Sequence, residues 1–84
     1  MAYDDWPEEF QDIWDSIPST SELSGSEYES AEFFFEEGFM TYEDEKIGVD
    51  DISFARDQFF DILGIDEWED IFDWDGWREA MGYE

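Results

Sequence analysis

Carboxylates are the side chains in this sequence abundant enough to do chemistry: 27 Asp and Glu stand against 3 Lys and Arg, with neither His nor Cys. Nucleophilic catalysis needs a Ser, Cys or Lys activated by a neighbouring base. The serines fall in acidic, loop-like stretches or at helix starts, Lys46 is the single lysine, and no His can take a proton, so a triad cannot be assembled. A pair of carboxylates alone can serve glycoside hydrolysis. Adjacent pairs recur throughout the chain, however, and a sugar-sized cleft is not expected in 84 residues. Solvated acidic helix faces account for them better, and the expectation is a protein that is not an enzyme.

Calcium is the sharper candidate for a carboxylate site. Asp73-x-Asp75-Gly76 resembles the middle of an EF-hand loop, but placing Gly76 at the loop's sixth position puts Ile71 at the first ligand and Gly82 at the bidentate twelfth. Both are wrong for the motif. Without cysteine there is also no thiolate zinc site, disulfide framework or redox chemistry. No metal and no cofactor is expected beyond weak, diffuse attraction of divalent cations to the surface.

What is left is the charge itself, a formal −24. Acidic chains short of large apolar groups stay disordered because they cannot bury enough surface to offset the entropy of ordering. Here 42% of residues are hydrophobic and 21% aromatic. Each buried Phe or Trp removes roughly 150–250 Å² from water and stabilises by about 1.5–3 kcal/mol. That supply of aromatic surface predicts a folded single domain over residues 1–84, held marginally at low salt, where like charges repel over a long screening length.

Periodicity supplies the elements. Over residues 5–17, Trp6, Phe10, Ile13, Trp14 and Ile17 mark one helical face, with Asp5 as cap, Pro7 in the first turn and Pro18 as the stop. Residues 19–26 read as a polar linker whose hydroxyls can cap the next helix. That second helix is expected over 27–37, with Tyr28, Ala31, Phe34 and Phe35 inward and Gly38 ending it. The Phe33-Phe34-Phe35 run also suits a short strand or hairpin within 33–49, and residues 39–49 read as a connection with an acidic turn at 43–45.

Asp50 or Asp51 should cap a third helix with Ile52, Ala55, Phe59, Ile62 and Leu63 inward, Phe54 and Phe60 on its flanks and Gly64 at its end. A short fourth helix starting at Asp66 carries Trp68, Ile71 and Phe72, and a fifth, capped by Asp73 or Asp75, carries Trp77, Ala80 and Met81. The fold class is therefore mainly α, a small compact bundle of four to five short helices with an aromatic core. Trp68, Trp74, Trp77 and Tyr83 suit either that core or an exposed recognition patch.

The carboxylates are spread along the chain rather than gathered in a tail. Asp4, Glu8, Asp12 and Asp15 follow one side of the first helix and Glu29, Glu32 and Glu36 the second. With Asp5, Glu43, Asp44, Glu45, Glu67 and Asp70 they form the candidate partner-binding surface. Anionic lipid and nucleic acid are both repelled by such a surface, so the expected partner is a basic protein, with no direct nucleic acid and no membrane. The oligomeric state is open, a homodimer included. The N-terminal Met1-Ala2-Tyr3-Asp4-Asp5 lacks the features of a signal peptide and no segment has the length of a membrane span, which predicts a cytoplasmic protein.

In size, acidity and helix-plus-aromatic build the whole chain resembles the phage-encoded DNA-mimic proteins, among them anti-restriction, anti-CRISPR and uracil-DNA glycosylase inhibitor proteins. The resemblance is one of composition, without an aligned motif, and carries no residue roles. It implies a viral inhibitor, acting in the host-cell cytoplasm, that occupies the positively charged nucleic-acid-binding site of a nuclease, CRISPR effector or other DNA-binding protein. Competing readings are an acidic chaperone or buffer for a basic protein, an acidic protein-interaction module that is disordered until bound, and halophilic adaptation.

Overall fold

A computed structural model describes residues 3–41 and 49–83, the side chains of 49–51 excepted. Five α-helices are present among them: α1 (Glu8–Asp15), α2 (Gly25–Phe39), α3 (Val49–Leu63), α4 (Trp68–Ile71) and α5 (Trp74–Met81), with 3-10 turns at Tyr3–Asp5 and Pro18–Glu22. No strand occurs among the described residues, and Phe33, Phe34 and Phe35 are helical. The remainder of the strand alternative, residues 42–48, and the acidic turn at 43–45 lie outside the described residues.

The whole predicted stripe of Trp6, Phe10, Ile13, Trp14 and Ile17 is buried, although α1 is shorter than the predicted 5–17 and Trp6 and Ile17 flank it. Its cap is not Asp5, which lies in the preceding 3-10 turn, but Pro7. Pro7 holds ψ at 148°, and its carbonyl accepts the first helical N–H groups, from Phe10 at 3.0 Å and Gln11 at 3.2 Å. At the other end Pro18 restricts Ile17 to extended backbone (φ −92°, ψ 111°), and the helix stops. Pro18 then opens a 3-10 turn where the polar composition suggests a plain linker. Thr20 is buried in that turn and donates its hydroxyl to the Ile17 carbonyl at 2.9 Å.

The second helix runs beyond the predicted 27–37 at both ends. Ser24 and Glu27 form a capping box, with the Ser24 N–H donating to Glu27 Oε1 at 3.3 Å. Gly38 does not end the helix. It sits buried inside α2, where an added Cβ would stand 3.0 Å from Arg56 Cγ and 3.1 Å from the Arg56 backbone nitrogen. Glycine is used here for close approach of α2 and α3, and Met40 takes the C-cap.

In α3, Ile52, Ala55, Phe59 and Leu63 are buried as the spacing predicts, and Phe60 is buried rather than on a flank. Ile62 is partly buried, and Phe54 is 59% exposed. The helix starts at Val49, so Asp50 and Asp51 lie in its first turn instead of capping it from outside. Gly64 ends it in the left-handed region at φ 68°, and Ile65 N–H closes onto the Phe60 carbonyl at 3.2 Å. The next helix begins at Trp68, not Asp66: Glu67 takes the N-cap with non-helical backbone (φ −115°, ψ 55°), and the Trp68 ring stacks on Phe60 at 4.6 Å. Ile71 is exposed, and Phe72, just past that helix, is buried. Asp73 caps α5, accepting the Gly76 N–H at 2.9 Å.

The core is an aromatic cluster centred on Phe35, Phe39 and Phe59, all fully buried. Phe35 lies 5.3 Å from Phe59 and 5.4 Å from Trp14, and Phe39 lies 4.7 Å from Phe72. The Arg56 guanidinium closes one end of the cluster. It lies 5.4 Å from the Phe39 ring and 5.0 Å from the Trp77 ring, while its Nε donates to the Gly38 carbonyl at 2.7 Å. Trp77 Nε1 donates to the Phe39 carbonyl at 2.6 Å, which ties α5 to α2. Among the described residues no buried side-chain polar atom lacks a partner.

The helical phasing of α2 separates two neighbouring phenylalanines, Phe35 fully buried and Phe33 55% exposed. Phe35→Ala should cost about 3–5 kcal/mol, a large fraction of the stability of a small domain. Phe33→Ala should stay within about 0.5 kcal/mol. Urea unfolding of both variants measures the difference, and equal losses would contradict the placement of this helix.

Candidate partner-binding acidic surface

Within the candidate surface, Asp4, Asp5, Glu8, Asp12, Asp15, Glu29, Glu67 and Asp70 are all exposed. Asp4 and Asp5 extend from the first 3-10 turn, Glu8, Asp12 and Asp15 from α1, Glu29 from α2, and Asp70 from α4 with Glu67 just before it. Glu43, Asp44 and Glu45 lie outside the described residues.

Glu32 and Glu36 behave differently, although α2 places them on the same row as Glu29. Both are partly buried. Glu32 Oε2 accepts the Tyr3 backbone N–H at 3.0 Å, and Glu36 Oε2 accepts Trp6 Nε1 at 2.7 Å. These two carboxylates fasten the N-terminal turn to α2. Charge-assisted bonds of this kind are about twice as strong as neutral ones, so one oxygen of each has a structural task.

Asp15 also holds the N-terminal turn. The Tyr3 hydroxyl lies 2.9 and 2.8 Å from its two carboxylate oxygens, and Gln11 Nε2 donates to the Tyr3 carbonyl at 2.9 Å. The hydrogen bond to Asp15 is the main reason that the Tyr3 phenol is pushed up to about 12, with burial and the Asp15 charge adding to it. Burial, followed by the Glu32 charge, raises Tyr28 as well.

The helices also assemble a cleft of about 450 Å³ between α1 and α5, lined by Glu9, Asp12, Ile13, Asp73, Gly76, Glu79 and Ala80. Asp12 is the one lining residue that belongs to the predicted set. Glu9 and Asp12 stand three residues apart on α1, and Asp73 and Glu79 flank Gly76 at similar intervals. That spacing is visible in the sequence, but the packing of α1 on α5 is not. Among the described residues no group of three or more acidic side chains is placed to hold a metal ion. The Arg78–Asp75 pair at 3.2 Å is largely exposed, and pairs of that kind contribute little.

The C-terminal aromatics belong mostly to the core. Trp77 is buried, Trp68 and Trp74 pack against the cluster, and Tyr83 is 37% exposed. Among the described residues no helix is long and apolar enough to cross a membrane. No family model, curated protein or solved structure matches the chain.

The Tyr3 phenol gives a pH dependence of known sign. Its folded-state value lies above the unfolded one near 10, so the folded state holds the proton more tightly. The stabilisation is complete below about pH 10 and is lost as pH rises through about 12. Ultraviolet titration of Tyr3→Phe should lose one late-titrating tyrosine while the raised Tyr28 remains, and the variant's melting temperature should fall less over that interval. Identical titrations would contradict the Tyr3–Asp15 bond.

Proposed function

We propose that this chain is an acidic DNA mimic, which binds the positively charged nucleic-acid-binding site of a DNA-binding protein and blocks it competitively. The observation that carries the reading is charge density on a folded body. The molecule has extents of 32 × 27 × 23 Å and a formal charge of −24. Duplex DNA carries one negative charge per about 1.7 Å of axis, or roughly 19 over a length equal to the protein's long axis. The protein therefore equals or exceeds the charge that a DNA-binding cleft is built to receive.

Fixed placement is the second support. The exposed carboxylates of α1 and α2 project from helices whose opposite faces are buried in the aromatic cluster. Arg and Lys side chains that normally contact phosphates can pair with carboxylates in such positions. A host nuclease or CRISPR effector is the target class that this reading favours. A buffer for basic proteins would use the same field without demanding a particular arrangement.

Titration against purified proteins tests the reading: a CRISPR effector, a restriction nuclease and uracil-DNA glycosylase, with a histone-like protein for comparison, at about physiological salt. The expected outcome is inhibition of one DNA-binding enzyme, with the chain displaced by duplex DNA and affinity falling steeply as salt rises. Equal affinity for every basic protein, the histone-like one included, would contradict mimicry and favour the buffer.

A further inference from the structure

An aromatic strip crosses from α2 to α3 on the outside of the helix pair. Phe33 is 55% exposed and Phe54 59% exposed, the two most exposed of the large apolar side chains described. Phe34, partly buried between them, joins the strip: its ring meets Phe33 edge-on at 5.3 Å and Phe54 edge-on at 6.2 Å. On the 150–250 Å² scale of an aromatic side chain, the two outer rings alone leave roughly 200 Å² in water. A chain so acidic could have placed polar residues here at no cost to its core, since neither outer ring is part of the buried cluster.

The surroundings decide what can cover it. Glu29 lies one helical turn before Phe33, and Asp57 and Asp61 lie one and two turns after Phe54; all three are exposed. An apolar strip rimmed by carboxylates on two packed helices suits a third helix, laid against the pair with its apolar residues on the rings and its basic residues over the rim. A second copy of this chain is a poor occupant, because pairing would bring two bodies of charge −24 into contact. Anionic membrane is disfavoured for the same reason.

We propose that the Phe33–Phe34–Phe54 strip is a docking site for an amphipathic basic helix of a partner protein. The proposal shares with DNA mimicry the requirement for a basic partner, but it locates affinity in apolar burial at one place rather than in charge spread over the surface. The rings supply specificity within an otherwise electrostatic encounter, since aromatic anchors in desolvated contacts dominate binding energy.

Two synthetic probes separate the contributions: a Lys/Leu peptide with leucines at helical i, i+3, i+4, i+7 spacing, and a Lys/Ser peptide of equal charge. Titration calorimetry at about physiological salt should find the Lys/Leu peptide bound about tenfold or more tightly than the Lys/Ser peptide. Phe33→Ser with Phe54→Ser should abolish that preference and leave Lys/Ser binding unchanged. Both positions are exposed, circular dichroism checks that the fold persists, and either single variant should lose part of the preference if the double variant does not fold. Equal binding of the two peptides, or a preference that survives substitution, overturns the proposal. Sedimentation at high salt that detects a dimer abolished by the same substitutions overturns it too, in favour of self-association. None of these outcomes depends on displacement by DNA, so failure of the strip and failure of mimicry are read separately.

Discussion

Self-repulsion is the constraint around which this molecule is built. A formal charge of −24 is confined to a body with a radius of gyration of 12.0 Å, and 3 Lys and Arg cannot neutralise it. Cohesion must come from groups that carry no charge. The fully buried rings of Phe35, Phe39 and Phe59 and their neighbours supply it, through burial and through edge-on and tilted ring contacts that add to the area term. Where a carboxylate is drawn toward this cluster it meets a donor, as Glu32 meets the Tyr3 N–H and Glu36 the Trp6 indole. Arg56, one of the few cations, is used structurally, against the Phe39 and Trp77 rings and the Gly38 carbonyl.

The same constraint produces the surface. Short helices that bury aromatic stripes must turn their acidic residues outward, so charge is held at positions set by helix geometry rather than trailing from a tail. In α1 this places Glu8, Asp12 and Asp15 in solvent while Phe10, Ile13 and Trp14 lie in the core. A field of this kind steers basic partners and speeds encounter, but it discriminates weakly among them. Discrimination needs either an arrangement of carboxylates matched to a cleft or an apolar anchor, and the Phe33–Phe34–Phe54 strip is placed to act as the anchor.

Local signals in the sequence suffice wherever a single element determines the outcome. The α1 stripe, the burial of Ala31 and Phe35 in α2 and of Ile52, Ala55, Phe59 and Leu63 in α3, the Gly64 stop and the Asp73 cap all follow from spacing and capping chemistry within one helix. Gly38 has the local signature of a stop, because only the approach of Arg56 and Ala55 from another helix explains a glycine inside α2. Asp5 has the composition of a cap, but Pro7 fixes the backbone two residues later. In the acidic surface, Glu32 and Glu36 have the spacing of a solvated row, and their donors lie 29 and 30 residues away in the chain. The α1–α5 cleft and the exposure of Phe54 depend in the same way on packing that no local pattern encodes.

An acidic chain rich in aromatics can either be ordered by them or collapse loosely around them, and fixed carboxylates require the first. The indole N–H groups of Trp77, bonded to the Phe39 carbonyl at 2.6 Å, and of Trp6, bonded to Glu36 at 2.7 Å, report on this directly. Hydrogen exchange of the free protein at about physiological salt should find both indole protons strongly protected, with Trp77 exchanging only through global unfolding. Exchange of both at the rate of a free indole would contradict an ordered aromatic core, and with it the claim that the carboxylates are held in place.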